Sequence, residues 1–376
     1  MLRYCLLVCV WIAALSVGAV RTALAEPHLA VREGMKCSAC HTNITGQGKR
    51  NQFGIQYEQQ SLPMRTIKDS TIYDILSQYM TETFSLGLDF RFQNTTIKGI
   101  PGADSPGHLF ANSFLVKEAQ VYAEINVVKN RFLVYLDERI MAQPGSPTDS
   151  REVMGIIQGL PLKGYVRAGK MYLPYGLRIW DPDALILTKT GVLDSEFGFS
   201  VGMEPGPLVF HAALQNGEPL VNIRQNTGKQ VTASLAYVSR YGRIGGSVNH
   251  NPKAAQLMGA GFMGVGVGPV TLLGEFDYMR FTDFQGSGRT LLQYVGYGEA
   301  NLRIFRGLHL KSAIDYFDAG FAGGDQQRYQ GGIEFRPVPF IQSRVLYVHN
   351  RPKLLPGGVQ AIGNGDRLVL ELHIFL

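Results

Sequence analysis

The stretch FSLGLDFRF at residues 84–92 decides the fold. Its phenylalanine and leucine side chains alternate with small or charged ones, and a period of two places all the apolar side chains on one face of a β-strand. The same alternation recurs to the C-terminus, between turn-forming groups such as QPGSP at 143–147. Alternation without long apolar runs is typical of a membrane barrel, in which each strand faces lipid on one side and the lumen on the other.

Counting these segments over residues 80–376 predicts an all-β fold, a transmembrane antiparallel β-barrel of about 16 strands. The last segment, DRLVLELHIFL at 366–376, alternates in the same way and resembles the closing strand of an outer-membrane barrel. A water-soluble β-sandwich would also alternate. A sandwich of this length would need two or more domains, and no linker separates the segments, so the pattern favours the barrel.

Residues 1–25 have the pattern of a signal peptide. Arg3 supplies the positive charge, residues 6–20 form an apolar region, and ALA at 23–25 is a small-residue cleavage site. The apolar run is short for a transmembrane helix. We therefore expect cleavage after Ala25, export from the cytoplasm and, with the barrel, insertion into the bacterial outer membrane.

The pentapeptide CSACH, which begins at Cys37, predicts covalent attachment of one haem c. The thiols of Cys37 and Cys40 would add to the two haem vinyl groups, and His41 would be the proximal iron ligand. A redox dithiol or half of a zinc site also uses two cysteines at this spacing. The adjoining histidine argues against both, and so do Cys5 and Cys9, since these two remaining cysteines lie in the signal peptide.

Residues 26–79 form a segment with too few apolar side chains to build a core alone. A covalent haem would serve as its core, and the segment would plug the barrel. The distal iron ligand stays open: Met64 is favoured, His28 is the alternative, and Met35 is too close to the first cysteine. Lumen histidines are further candidates, namely His211, His309 and His373.

The chain has a formal net charge of +6, but its only basic pair outside the signal is Lys49-Arg50, so we expect no nucleic-acid partner. Carboxylates on the polar strand faces would attract a hard cation such as Fe(II), although most barrel lumens are charged. These carboxylates are Glu118, Glu124, Glu275, Asp277, Glu299, Asp315 and Glu371.

The sequence REGMKCSACH at 32–41, followed by NQFG at 51–54, resembles the start of the fused outer-membrane monohaem cytochrome–porin family. That resemblance implies an iron-oxidase-type cytochrome c, in which a monohaem segment precedes a porin-like barrel. It implies electron transfer from an extracellular donor, above all Fe(II), to a periplasmic c-type cytochrome or other carrier. The activity would be that of an Fe(II):cytochrome c oxidoreductase, and Cys37, Cys40 and His41 match the family's motif residue by residue.

Two other functions fit the same sequence. The first is a solute-transporting porin whose plug carries a haem with a structural or regulatory role. The second is a soluble periplasmic cytochrome with a large β domain. Electrical conductance separates the first from an electron conduit, and extraction without detergent would reveal the second.

Overall fold

The computed structural model describes residues 26–67, 81, 83–98, 110–141, 149–179, 181–217, 228–283, 288–322, 324–352 and 366–376. The predicted signal peptide, residues 1–25, and the end of the N-terminal segment, residues 68–79, lie outside this part of the chain. Three short α-helices are described: α1 (Pro27–Arg32), α2 (Gln52–Ser61) and α3 (Leu185–Thr190). Among the described residues, no helix is long and apolar enough to cross a membrane.

Sixteen strands close into one antiparallel barrel, in which each strand pairs with its neighbours in sequence and β16 pairs with β1. The strands are β1 (Phe84–Lys98), β2 (Phe110–Val128), β3 (Phe132–Met141), β4 (Asp149–Leu160), β5 (Gly164–Tyr172), β6 (Ser195–Met203), β7 (Leu208–Gln215), β8 (Gln230–Ser239), β9 (Gly242–Asn251), β10 (Gln256–Val267), β11 (Val270–Phe281), β12 (Leu291–Phe305), β13 (Leu308–Asp318), β14 (Gln326–Phe335), β15 (Ile341–Pro352) and β16 (Asp366–Phe375). The predicted barrel and its strand number are confirmed, and closure excludes the sandwich.

The two faces of the strands differ as the alternation predicts. On β16, Leu368, Leu370 and Leu372 are exposed on the outer face, whereas Glu371 and His373 are buried on the inner face. Such an apolar exterior is stable only against lipid. Closure also leaves no strand edge with unpaired backbone groups. An even-numbered closed barrel of this kind belongs to the bacterial outer membrane.

Part of the lumen is filled by residues 173–179 and 181–194, the inward-folded segment, which follows β5 and contains α3. Tyr175, Leu177 and Leu185 are buried in this segment. The backbone N–H of Leu177 donates to Glu275 Oε2 at 2.5 Å, and that of Leu185 donates to Asp315 Oδ1 at 2.9 Å. Carboxylates of the wall thus satisfy backbone groups that water cannot reach.

Candidate haem-attachment site

Residues 26–67, which we call the plug, contact inward-facing polar side chains of the barrel and backbone groups of the turns between strands. Asn43 illustrates how the plug is held. It is fully buried, its Nδ2 donates to Glu152 Oε2 at 2.6 Å, and its Oδ1 accepts from Arg167 Nη1 at 2.8 Å. One amide therefore bridges a carboxylate of β4 and a guanidinium of β5, and such charge-assisted hydrogen bonds are stronger than neutral ones.

Further contacts fix the plug at other points of the wall. The backbone N–H of Lys49 donates to the Tyr135 hydroxyl at 3.0 Å on β3, and its ammonium lies 3.1 Å from Glu124 Oε2 on β2. At another part of the lumen wall, Glu26 Oε1 lies 2.6 Å from Arg344 Nη2 on β15. The plug is thus anchored to β2 and β3 and, beyond β1 and β16, to β15.

The CSACH sequence forms a compact turn. Residues Cys37–Ala39 are a single turn of 3₁₀-helix, and the backbone N–H groups of Cys40 and His41 both donate to the Cys37 carbonyl, at 3.2 and 3.1 Å. Both cysteines are free and half-buried. The turn therefore presents two thiols and one imidazole from five consecutive residues.

The NQFG sequence at 51–54 packs directly beneath this turn. Asn51 is the N-cap of α2, where its Oδ1 accepts from the Gly54 N–H at 2.9 Å. Its Nδ2 donates to the Ala39 carbonyl at 3.1 Å, and its own N–H donates to the Cys40 carbonyl at 2.9 Å. A side chain at Gly54 would overlap the Cys40 carbonyl group, because an added Cβ would lie 2.9 Å from that carbonyl carbon. Asparagine and glycine at these two positions thus hold α2 against the turn.

The turn opens on a cavity between the plug and the barrel wall. The empty space, including its opening, is about 1440 Å³, and Cys37, Cys40 and His41 all line it. Four guanidinium groups line the same cavity, those of Arg50, Arg91, Arg178 and Arg243.

The residues at the cavity fit a covalent haem. His41 Nδ1 is buried without a hydrogen-bond partner, and burial lowers the pKa of His41 to about 4, so its imidazole is neutral, the form that ligates metals. Burial raises the pKa of the Cys40 thiol. The Arg243 guanidinium lies 3.8 Å from Cys37 Sγ. Arginines at the cavity would also pair with the two carboxylates of a haem.

The predicted distal ligands are separated by the structure. Among the described residues that line the cavity, Met35, His211 and His373 are present, whereas Met64 and His28 are not. Met64 is 42% exposed, and its backbone N–H donates to the Arg336 carbonyl at 2.8 Å.

Hydrogen bonds distinguish the two histidines at the cavity. His373 Nδ1 contacts Gln342 Oε1 at 2.8 Å, and Asp89 Oδ2 lies 3.1 Å from its Nε2, so wall side chains flank both ring nitrogens. His211 contacts the Tyr165 hydroxyl through Nδ1, which leaves Nε2 as its ligand atom. Within the described chain, His211 is therefore placed better than Met64 or His28 for a distal role, and the ligand itself stays a prediction.

Sequence reasoning missed the arginines of the cavity. Arg178 lies in the inward-folded segment, and its Nη1 donates to Gln47 Oε1 of the plug at 2.8 Å. Arg243 is on β9, far in sequence from the cysteines. No local pattern distinguishes these arginines from other lumen residues, although Arg178 follows a strand and lies in a segment without the two-residue period.

Comparisons with known proteins find similarity in fold only. No family model matches the chain, and no curated protein matches its sequence. Solved outer-membrane proteins do match. A loop-deletion mutant of OmpT of Vibrio cholerae has a TM-score of 0.58 at 10% identity, covering 78% of this chain and 99% of that one. OprB of Pseudomonas putida has a TM-score of 0.58 at 9% identity, covering 85% and 100%. A daunomycin complex of OmpF of Salmonella typhi has a TM-score of 0.57 at 12% identity, covering 78% and 97%.

These matches and the geometry define the class of protein, a porin-like barrel of the outer membrane. At identities of 9–12%, these matches show the fold alone. The feature that the porin fold does not account for is the plug with its CSACH turn.

Proposed function

We propose that the protein is an outer-membrane electron-transfer protein that carries one haem c on the plug. The observation that carries the proposal is the common opening of Cys37, Cys40 and His41 on one cavity between plug and wall. Passage of solutes through a porin does not require two thiols and an imidazole on one turn. A bound haem would supply one-electron exchange, and the donor would be extracellular Fe(II) with a periplasmic c-type cytochrome as acceptor.

The protein's own residues have three roles in this proposal. The thiols of Cys37 and Cys40 hold the cofactor, and His41 supplies a neutral nitrogen ligand on the same turn. Arginines of plug and wall provide positive charge at the cavity, which favours an anionic group there and orients it. The barrel encloses the plug and keeps lipid away from the site.

The second candidate is a solute porin with a haem-bearing plug. Two observations favour it: the fold similarity and a second space between plug and wall, with an empty volume of about 2860 Å³ including its openings. Polar side chains of β1, β2 and β4 line this space, among them Ser85, Asn126 and Gln158. Small solutes would fit a space of this size and polarity.

Conductance and haem content together test the proposal. The full-length chain is purified in detergent, its haem content is measured by intact mass and by alkaline pyridine absorption, and it is inserted into planar bilayers beside an open porin. We expect one covalent haem per chain and little ion conductance. Porin-like conductance would favour the second candidate, and a chain exported in a host that matures c-type cytochromes yet lacking covalent haem would overturn the first.

A further inference from the structure

A second cluster of metal-ligating side chains lies outside the haem cavity. His28 of α1, His309 of β13 and Glu334 of β14 are all buried, and one ligand atom from each lies within 4.8 Å of the other two. His28 belongs to the plug, whereas His309 and Glu334 belong to the wall. The cluster therefore joins two parts of the chain that are otherwise held by hydrogen bonds and ion pairs.

Three of the four ring nitrogens of this cluster lack hydrogen-bond partners among the described residues. His28 is 2% exposed, and neither its Nδ1 nor its Nε2 has a partner; the same is true of His309 Nδ1. Buried polar atoms are almost always satisfied in folded proteins. The neighbouring carboxylate oxygens are beyond hydrogen-bond distance, at 3.8 Å from His28 Nδ1 to Glu299 Oε1 and 3.6 Å from His309 Nδ1 to Glu334 Oε1. A bound electron-pair acceptor would satisfy these unpartnered nitrogens.

We propose that His28, His309 and Glu334 bind one divalent first-row transition-metal ion. Two imidazoles and one carboxylate form a ligand set that suits Zn(II), Fe(II) and Co(II), whereas Mg(II) and Ca(II) require oxygen ligands. The site does not rest on the proposed haem, because none of its ligands lines that cavity.

The backbone holds the wall ligands at a fixed spacing. His309 and Glu334 are directly opposite each other in the β13–β14 register, and such pairs have Cβ atoms about 4.5–5.5 Å apart. Metal–ligand bonds of about 2.0–2.2 Å place the donor atoms around one ion roughly 3–4 Å apart. Side-chain movements of about 1 Å would therefore bring the three donor atoms to bonding distance of one ion. Glu299 is near enough to add a further oxygen ligand.

The charges around the cluster determine which ions it would select. Lys311 Nζ lies 3.5 Å from Glu299 Oε1 and 3.9 Å from Glu334 Oε2, and Arg336 Nη1 lies 2.6 Å from Glu334 Oε1. Since nearby cations already balance the carboxylates, attraction by net negative charge would be weak. Affinity must then come from the imidazole nitrogens, which favours transition metals over hard cations.

The position of His28 separates this site from the haem cavity. Leu29 and Ala30, the next residues of α1, line that cavity, while His28 faces the wall. An α-helix with its side chains is about 10–12 Å across, so the two sites lie on different faces of one short helix. A bound ion would tie α1 to β13 and β14.

Calorimetric titration of the chelator-treated, detergent-solubilised full chain with Zn(II) tests the proposal, with Mg(II) as the comparison ion. The test variants are His28→Gln and His309→Gln, and His250→Gln on β9, where His250 is exposed, is the matched control. Loss of residues that only support a ligand typically weakens metal binding about 10–100-fold, so loss of a ligand should weaken it at least about 100-fold. We expect one Zn(II) per wild-type and control chain, no saturable Mg(II) binding, and this loss in both test variants.

Absence of stoichiometric Zn(II) binding to the wild-type chain, or equal binding by folded test variants, would overturn the proposal. Heat-modifiable migration on gels reports whether each variant forms the barrel. If a test variant does not fold, X-ray absorption of the Zn(II)-loaded wild type decides the matter. Two imidazole ligands support the site, and a spectrum with only oxygen ligands overturns it.

Discussion

The substitution Gly54→Ala separates two opposing effects on the plug. In an isolated helix, replacing glycine by alanine stabilises the helix by about 1 kcal/mol. Helix propensity alone therefore predicts a more stable α2. At Gly54 the added methyl would overlap the Cys40 carbonyl, whose oxygen already accepts the Asn51 N–H at 2.9 Å. Because a backbone group cannot move aside as a flexible side chain does, overpacking should cost about 2–3 kcal/mol. The net loss is about 1–2 kcal/mol.

Hydrogen–deuterium exchange of the detergent-solubilised chain measures this loss. A reduction of about 1–2 kcal/mol in local opening free energy corresponds to roughly 5–30-fold faster exchange in the peptides that contain the CSACH turn and α2. Gln56→Ala is the control, since Gln56 is exposed on the same helix and its substitution should leave exchange nearly unchanged. Exchange in Gly54→Ala that is as slow as in the wild type, or slower, would refute the close packing of α2 on the turn.

Three further predictions concern the plug and its site. Replacing Cys37 and Cys40 by serine should abolish covalent haem in denaturing gels yet leave heat-modifiable barrel migration intact; loss of the barrel as well would show that the two fold as one unit. Asn43→Ala removes hydrogen bonds to a buried carboxylate and a buried guanidinium, each worth about 1.5–3 kcal/mol, so exchange of residues 40–50 should accelerate at least tenfold, whereas an unchanged rate would contradict the anchoring role. Burial raises the pKa of Glu58 above its ordinary 4.5, so the folded plug favours the protonated form and its protection should fall as pH rises from 4.5 through the raised pKa. Glu58→Gln should remove this dependence, and its persistence would assign the dependence to another group.

The barrel was predictable because its signal is local. Each strand shows the two-residue period within its own segment, as Leu370 and Glu371 do on β16, and lipid on one side and a filled lumen on the other enforce it along the whole length. The inward-folded segment was not predictable in the same way. Its apolar residues pack inside the lumen against α3 and the wall, so no period relates them to lipid.

The site was predictable only where chemistry requires adjacent residues. The spacing of Cys37, Cys40 and His41 is the one that covalent attachment of a haem c would require, so this candidate site is visible in the sequence. The arginines of the cavity reach it from the barrel wall and from the inward-folded segment, and only the closed barrel brings them together. The direction in which His28 points depends on its position around the axis of α1. Consecutive residues of a helix are separated by about 100°, so His28 faces the wall while Leu29 and Ala30 face the cavity.

We propose that a haem on the plug exchanges electrons with an extracellular donor, and stopped-flow spectroscopy tests this exchange directly. The purified, haem-loaded chain is mixed with Fe(II) under anoxic conditions in a stopped-flow spectrophotometer. We expect rapid appearance of the absorption bands of a reduced c-type cytochrome. A haem that dithionite reduces but Fe(II) leaves oxidised would contradict iron oxidation as the function of this barrel.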